Sequence, residues 1–153
     1  MKIEQRIEEL GYQLPPVSVP AHPYRPVVVF NRTAYISGQV AKQNGAVMMS
    51  GRVPDEISVE EAQKCAVQST LQALAYLKQE IGDLDRVERF LKVTGFVYSQ
   101  PGFGEQPQVI NACSRLLQEI FGEAGQHARS AIGMAALPTS TPVEIEMIVA
   151  LRD

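Results

Sequence analysis

His127-Ala128-Arg129-Ser130-Ala131-Ile132-Gly133-Met134 alternates, turns through Leu137-Pro138-Thr139-Ser140-Thr141-Pro142, and alternates again in Val143-Glu144-Ile145-Glu146-Met147-Ile148-Val149. A period of two is the mark of β-strands, because successive side chains leave the backbone on opposite faces. In the first segment Ala128, Ser130, Ile132 and Met134 share one face, and Arg129, Ala131 and Gly133 share the other. In the second, Val143, Ile145, Met147 and Val149 lie opposite Glu144 and Glu146. Read as a terminal hairpin, the segments match apolar face to apolar face. Ile132 and Met134 then join Val143 and Ile145, and Arg129, Glu144 and Glu146 collect on the second face. In that register Arg129 lies near Ala150, about six residues or roughly 20 Å along the strand from Glu144. The two belong to one site only if a second subunit brings them together.

Working outward, Val87 to Tyr98 is apolar on both faces, as expected of a central strand. Helices flank it. Ser58-Val59-Glu60-Glu61 is a capping box, and the helix it opens carries Ala62, Ala66, Ala73, Leu77 and Ile81 on one stripe before Gly82 stops it. Pro107 opens a second helix with Ile110, Cys113, Leu117 and Ile120 on its apolar face, ending near Gly122. Earlier, Val27-Val28-Val29-Phe30 and Thr33-Ala34-Tyr35-Ile36-Ser37 flank Asn31-Arg32 as a tight hairpin, and Ala46-Val47-Met48-Met49 follows Asn44-Gly45 as a further short strand. Ile3, Ile7 and Leu10 space a short helix over residues 2 to 10, stopped by Gly11. The proline-rich stretch from Leu14 to Pro23 then reads as an extended arm over the domain surface. The element order predicts a single α+β domain, a mixed β-sheet with two helices packed on one face. Residues 1–23 form a helix and arm, and residues 24–153 form the domain proper.

The 153 residues are 45% hydrophobic and 20% charged, which suits a globular chain with one core. A net charge of -3 leaves no basic footprint for nucleic acid. No apolar run reaches the length of a membrane helix, and Met1-Lys2-Ile3-Glu4-Gln5-Arg6 has no signal-peptide pattern. Two cysteines form neither a disulfide framework nor a four-ligand zinc site, so the expected location is cytoplasmic. Cys65 and Cys113 lie in the predicted helices as small apolar packing. His22 and His127 read as surface or hydrogen-bonded histidines, although His127 shares the Arg129 face by parity and borders it. Gly102-Phe103-Gly104 precedes a helix but lacks the Lys and Ser/Thr of a phosphate loop, so it is a turn.

Chemistry concentrates on Arg129. A guanidinium holds a planar carboxylate through two parallel hydrogen bonds and stays charged at any working pH. Buried alone it costs several kcal/mol, so it must be exposed, ion-paired or occupied by a ligand. The small neighbours Ala131 and Gly133 leave volume beside it.

Ser37-Gly38-Gln39, Ala128-Arg129-Ser130, Leu137-Pro138 and Val143-Glu144-Ile145-Glu146, in this order, resemble the signatures of the reactive-intermediate deaminase (Rid, or YjgF-like) family. The resemblance runs from about Tyr24 to Arg152 and leaves the N-terminal residues as an extension. It implies a chorismate-mutase-like α+β fold and a homotrimer with clefts between subunits. The implied activity is hydrolysis of enamine or imine intermediates such as 2-aminoacrylate to 2-oxo acids and ammonia, with no cofactor and no metal. By position, Arg129 would clamp the substrate carboxylate and Glu144 would hold the attacking water or move its proton. Ser37 and Gly38 would line the pocket, Tyr24 would close it, and Asn111 would sit at its edge. Many active members of the family carry a Cys two residues after the arginine; here the position is Ala131, whose backbone amide could serve. The alternatives are a trimeric binding protein or sensor for small carboxylates, and a ribonuclease. The acidic composition weighs against the ribonuclease.

Overall fold

A computed structural model describes residues 1–153. Its elements are α1 (Lys2–Glu9), β1 (Val27–Phe30), β2 (Thr33–Val40), β3 (Lys42–Gln43), β4 (Ala46–Val47), α2 (Val59–Ile81), β5 (Val87–Tyr98), α3 (Gln106–Phe121), β6 (Ala128–Met134) and β7 (Val143–Leu151). Five strands form a mixed sheet in the order β1-β2-β7-β5-β6, and β3 and β4 form a separate ribbon. The β1–β2 turn places Asn31 and Arg32 at φ 49° and 58°, the left-handed pair that a two-residue hairpin requires. The predicted strand at residues 46–49 is shorter than expected, since only Ala46 and Val47 pair.

Helix α2 begins at the capping box read from sequence: Glu61 N–H donates to Ser58 Oγ at 3.1 Å, and Ser58 N–H donates to Glu61 Oε1 at 3.2 Å. Its apolar stripe and that of α3 bury Leu74, Leu77, Ile110 and Leu117 against Val93, Val97, Ile145 and Met147 of the sheet. Gly95 lets α3 approach closely, because a Cβ there would lie 2.5 Å from Ile110 Cδ1 and Cγ1. Ile7 of α1 is buried in the same core, and Lys2 and Ile3 N–H groups donate to the Asp85 carboxylate. The arm runs across α2, where Tyr76 Oη donates to the Ser18 carbonyl at 3.2 Å. No helix is long and apolar enough to cross a membrane.

The terminal hairpin does not form. β6 pairs in parallel with β5, and β7 pairs antiparallel with both β5 and β2. The physical reason is the α3 crossover, which returns the chain beside β5 in the same direction and so makes β6 an edge strand. The Leu137–Pro142 loop then steps over the end of β5: Tyr98 N–H donates to Pro142 O and Ser99 N–H to Met134 O. Thr139 and Ser140 take positive φ values of 53° and 56° there.

This insertion of β5 changes the faces. Arg129 is level with Val93 and Met147, both buried beneath the helices. Ile132 is level with Phe96 and Glu144, and Ser130 is level with Thr94 and Glu146. Residues directly across a ladder share a face. Ile132 and Met134 therefore stand on the open face with Glu144 and Glu146, and Arg129 stands on the helix face. The alternation within each strand is as the sequence predicts, but the matching of β6 to β7 is reversed.

Candidate functional site

Two groups of side chains emerge on different parts of the chain. The first surrounds Arg129, which is half-buried at the sheet edge beside α3. Its Nη1 donates to Asn111 Oδ1 at 2.8 Å and to Ser114 Oγ at 3.2 Å. Asn111 and Ser114 are one helical turn apart, so both face β6. Ser114 Oγ lies 2.9 Å from His127 Nε2, and His127 Nδ1 lies 2.7 Å from the Gly125 carbonyl. No carboxylate forms an ion pair with Arg129; the ion pairs of the molecule involve other cations. Ala131 follows two residues later on the same face and packs against the core. Gly133 leaves room for Gln106.

The second group lies on β2 and β7. Between Ile36 and Gln39 the β2–β7 register shifts, so Ser37 and Gly38 form a bulge. Ser37 is tied back to the chain before β1, with its Oγ donating to the Arg25 carbonyl at 2.7 Å and its N–H to Pro26 O at 2.8 Å. Tyr24, exposed, is the residue before Arg25. The Glu144 side chain lies against Gly38 and occupies the space a Cβ would fill. Burial raises the Glu144 pKa above its ordinary value, and the neighbouring charge of Glu146 adds to the rise.

The expected residues thus divide. Arg129, Asn111 and Ala131 stand together, and Ser37, Gly38 and Glu144 stand together with Tyr24 nearby. Within one chain the sets do not meet: Arg129 and Glu144 are two strand spacings and three residues apart, roughly 14 Å, on opposite faces. The sequence-based separation of roughly 20 Å along one ladder is replaced by this one.

Residues given no role at the sequence level are Ser114, Gln72 and Gln39, the last quoted only as part of the Ser37-Gly38-Gln39 motif. Gln72 Nε2 donates to Gln39 Oε1 at 2.9 Å, and Gln39 Nε2 donates to the Ser37 carbonyl at 3.1 Å, bracing the bulge from within. The three-residue spacing of Asn111 and Ser114 was a readable signal for Ser114. Nothing in the sequence pairs Gln39 with Gln72. Both thiols are inert, since burial pushes Cys65 up to about 11 and Cys113 up to about 12. The acidic trio Glu4, Asp83 and Asp85 surrounds the Met1 ammonium, 3.0 Å from both Glu4 Oε2 and Asp85 Oδ2, which gives it a structural role.

A family model described as "YjgF/chorismate mutase-like, putative endoribonuclease" matches residues 4–149. The chain belongs to this family. It is 36% identical to Protein TCP17 of Trypanosoma cruzi, over 99% of this chain and 96% of that protein. The crystal structure of Atu1372 from Agrobacterium tumefaciens superposes with a TM-score of 0.91 at 39% identity, covering 99% of this chain and 92% of that one. A Shewanella oneidensis structure described as a putative endoribonuclease gives a TM-score of 0.93 at 28% identity, covering 97% of this chain and 99% of that one. The YjgF-like fold expected from the sequence is the fold observed. Because the match begins at residue 4, most of α1 and all of the arm lie inside it. The reading of these residues as an N-terminal addition to the family finds no support.

Proposed function

We propose that this YjgF-like protein hydrolyses reactive enamine or imine intermediates of the 2-aminoacrylate type to 2-oxo acids and ammonia. One observation carries the reading: Arg129 is a half-buried cation held only by neutral groups, Asn111 and Ser114, with no acidic partner. Such a charge is costly unless an anion reaches it, and a substrate carboxylate fits a guanidinium.

The chemistry asked of the protein is modest. An imine conjugated to a carboxylate is already electrophilic, so orientation and proton transfer suffice. Glu144, with its pKa raised above the ordinary value by burial, is suited to take a proton from the attacking water and return it to the departing nitrogen.

Catalysis on this scheme requires the Arg129 group of one chain to face the Glu144 group of another, in a homotrimer with sites between subunits. The open sheet face supports association: Val28, Tyr35 and Ile132 keep 44–49% of their surface exposed around half-buried Phe96 and Ile148. The same Arg129 would serve a sensor that binds a 2-oxo acid without turnover. Against an RNA substrate stand the net charge of -3 and the carboxylates of Glu144 and Glu146 on the open face.

The test is release of ammonia and 2-oxo acid from freshly generated 2-aminoacrylate. Wild type should exceed the uncatalysed rate, and Glu144→Gln should lose turnover while still binding carboxylate. Turnover that never rises above background with several imines would favour the sensor.

A further inference from the structure

The anchoring of Arg129 is asymmetric. Nη1 carries two protons, and both are used, one on Asn111 Oδ1 and one on Ser114 Oγ. Nε and Nη2 have no protein acceptor. A guanidinium offers its donors as edges, and with Nη1 saturated only the Nε–Nη2 edge remains for a ligand. That edge presents two parallel N–H groups, which match the two oxygens of one carboxylate.

Ser114 is fixed in turn. The Gly125 carbonyl can only accept, so His127 Nδ1 carries the proton, and Nε2 of the neutral ring is an acceptor. The Ser114 hydroxyl therefore donates to His127 and turns a lone pair toward Arg129. Burial, partly opposed by the Gly125 hydrogen bond and reinforced by the charge of Arg129, holds the imidazole pKa below its ordinary value and the ring neutral near pH 7. Had His127 been the other tautomer, the serine would lose its acceptor and the chain of donors would break at its first link.

We propose that Ser114 and His127 are positioning residues that, with Asn111, lock Arg129 so that only its Nε–Nη2 edge faces the ligand, restricting the site to a single planar carboxylate. This rests on the reading of Arg129 as the ligand-binding cation, and deepens it by naming the groups that orient the guanidinium and the ligand geometry they select. A second anionic group on the ligand, or a phosphate seeking more than two donors, finds only the outer Nη2 proton left on this side chain, with no second N–H parallel to it.

Calorimetry on the full chain, with pyruvate and with inorganic phosphate as probes, tests this. Wild type is expected to bind pyruvate in preference to phosphate. Ser114→Ala and His127→Phe are expected to weaken pyruvate binding by roughly tenfold, the scale of one hydrogen bond to a charged group, and to narrow the preference. Ser114→Thr, which keeps the hydroxyl, should bind like wild type. Pyruvate affinity and selectivity unchanged in both Ser114→Ala and His127→Phe overturn the relay. Absence of pyruvate binding by wild type, or undiminished binding by Arg129→Ala, instead overturns the Arg129 reading and the role assigned to the relay with it. Should the variants fail to fold, nitrogen-15 NMR of wild type decides: a neutral His127 protonated on Nδ1 supports the relay, and one protonated on Nε2 overturns it.

Discussion

The carboxylate of Glu144 lies against the α-carbon of Gly38, in the space that any other residue would fill with its Cβ. The obstacle is the far end of a flexible side chain rather than backbone, so Gly38→Ala should displace Glu144 at little cost in stability, within about 1 kcal/mol. Turnover should fall at least as far as the loss of a positioned acid–base group implies, roughly a hundredfold. Thermal melting alongside steady-state kinetics checks both halves. Melting far below wild type, or full activity, contradicts the assignment.

Glu146 contributes to the raised pKa of Glu144 by its charge, after burial. Removing that charge in Glu146→Gln should let Glu144 ionise at lower pH. The acid limb of kcat/KM should shift to lower pH in the variant, with wild type turning over above the ordinary 4.5 of a glutamate. A pH–rate profile identical in the two proteins would mean that Glu144 is not the titrating group.

Gly95 and Ile110 set the approach of α3 to the centre of the sheet. Gly95→Ala should overpack this contact and cost about 1–3 kcal/mol. Ile110→Ala on the Gly95→Ala background should cost less than it does in wild type, because the smaller side chain relieves the clash. Denaturant melts of the four proteins give the coupling energy, and additivity would refute the close contact.

His127 has a folded-state pKa below its ordinary 6.5. A depressed pKa stabilises the fold above the unfolded value, and that contribution is lost as pH falls through the folded value, because the unfolded chain takes up the proton first. Stability should decline as pH drops below about 6.5, and His127→Phe should flatten this decline. Urea titrations between pH 7 and 5 measure it; equal slopes in both proteins would remove His127 from the account.

Ile132 stands exposed on the open face beside Phe96 and Glu144. If this face packs against neighbouring chains, Ile132→Asp should convert a trimer to monomers without unfolding them, since the side chain stands outside the buried core. Light scattering should show a threefold drop in mass. A wild-type monomer at micromolar concentration would contradict the intersubunit site.

Local patterns proved readable because they depend on near neighbours. The capping box at Ser58 and Glu61, the Asn31-Arg32 turn, and the two-residue alternation of β6 and β7 are set by backbone geometry within a few residues. So too is the choice of Arg129, an isolated cation in an alternating strand beside small residues.

Partnership between strands is a different matter. Alternation states which residues share a face of one strand, but not which other strand lies beside it. The α3 crossover inserted β5 between β6 and β7, and with that one placement Arg129 went beneath the helices and Glu144 to the open side. The Asn111–Ser114–His127 arrangement around Arg129 and the Gln72–Gln39 brace behind Ser37 likewise join residues from separate elements. The amino-acid order alone determined the elements and the residues of chemical interest. Which of them meet was decided by packing, because hydrogen bonds between distant segments exist only once the layers have closed.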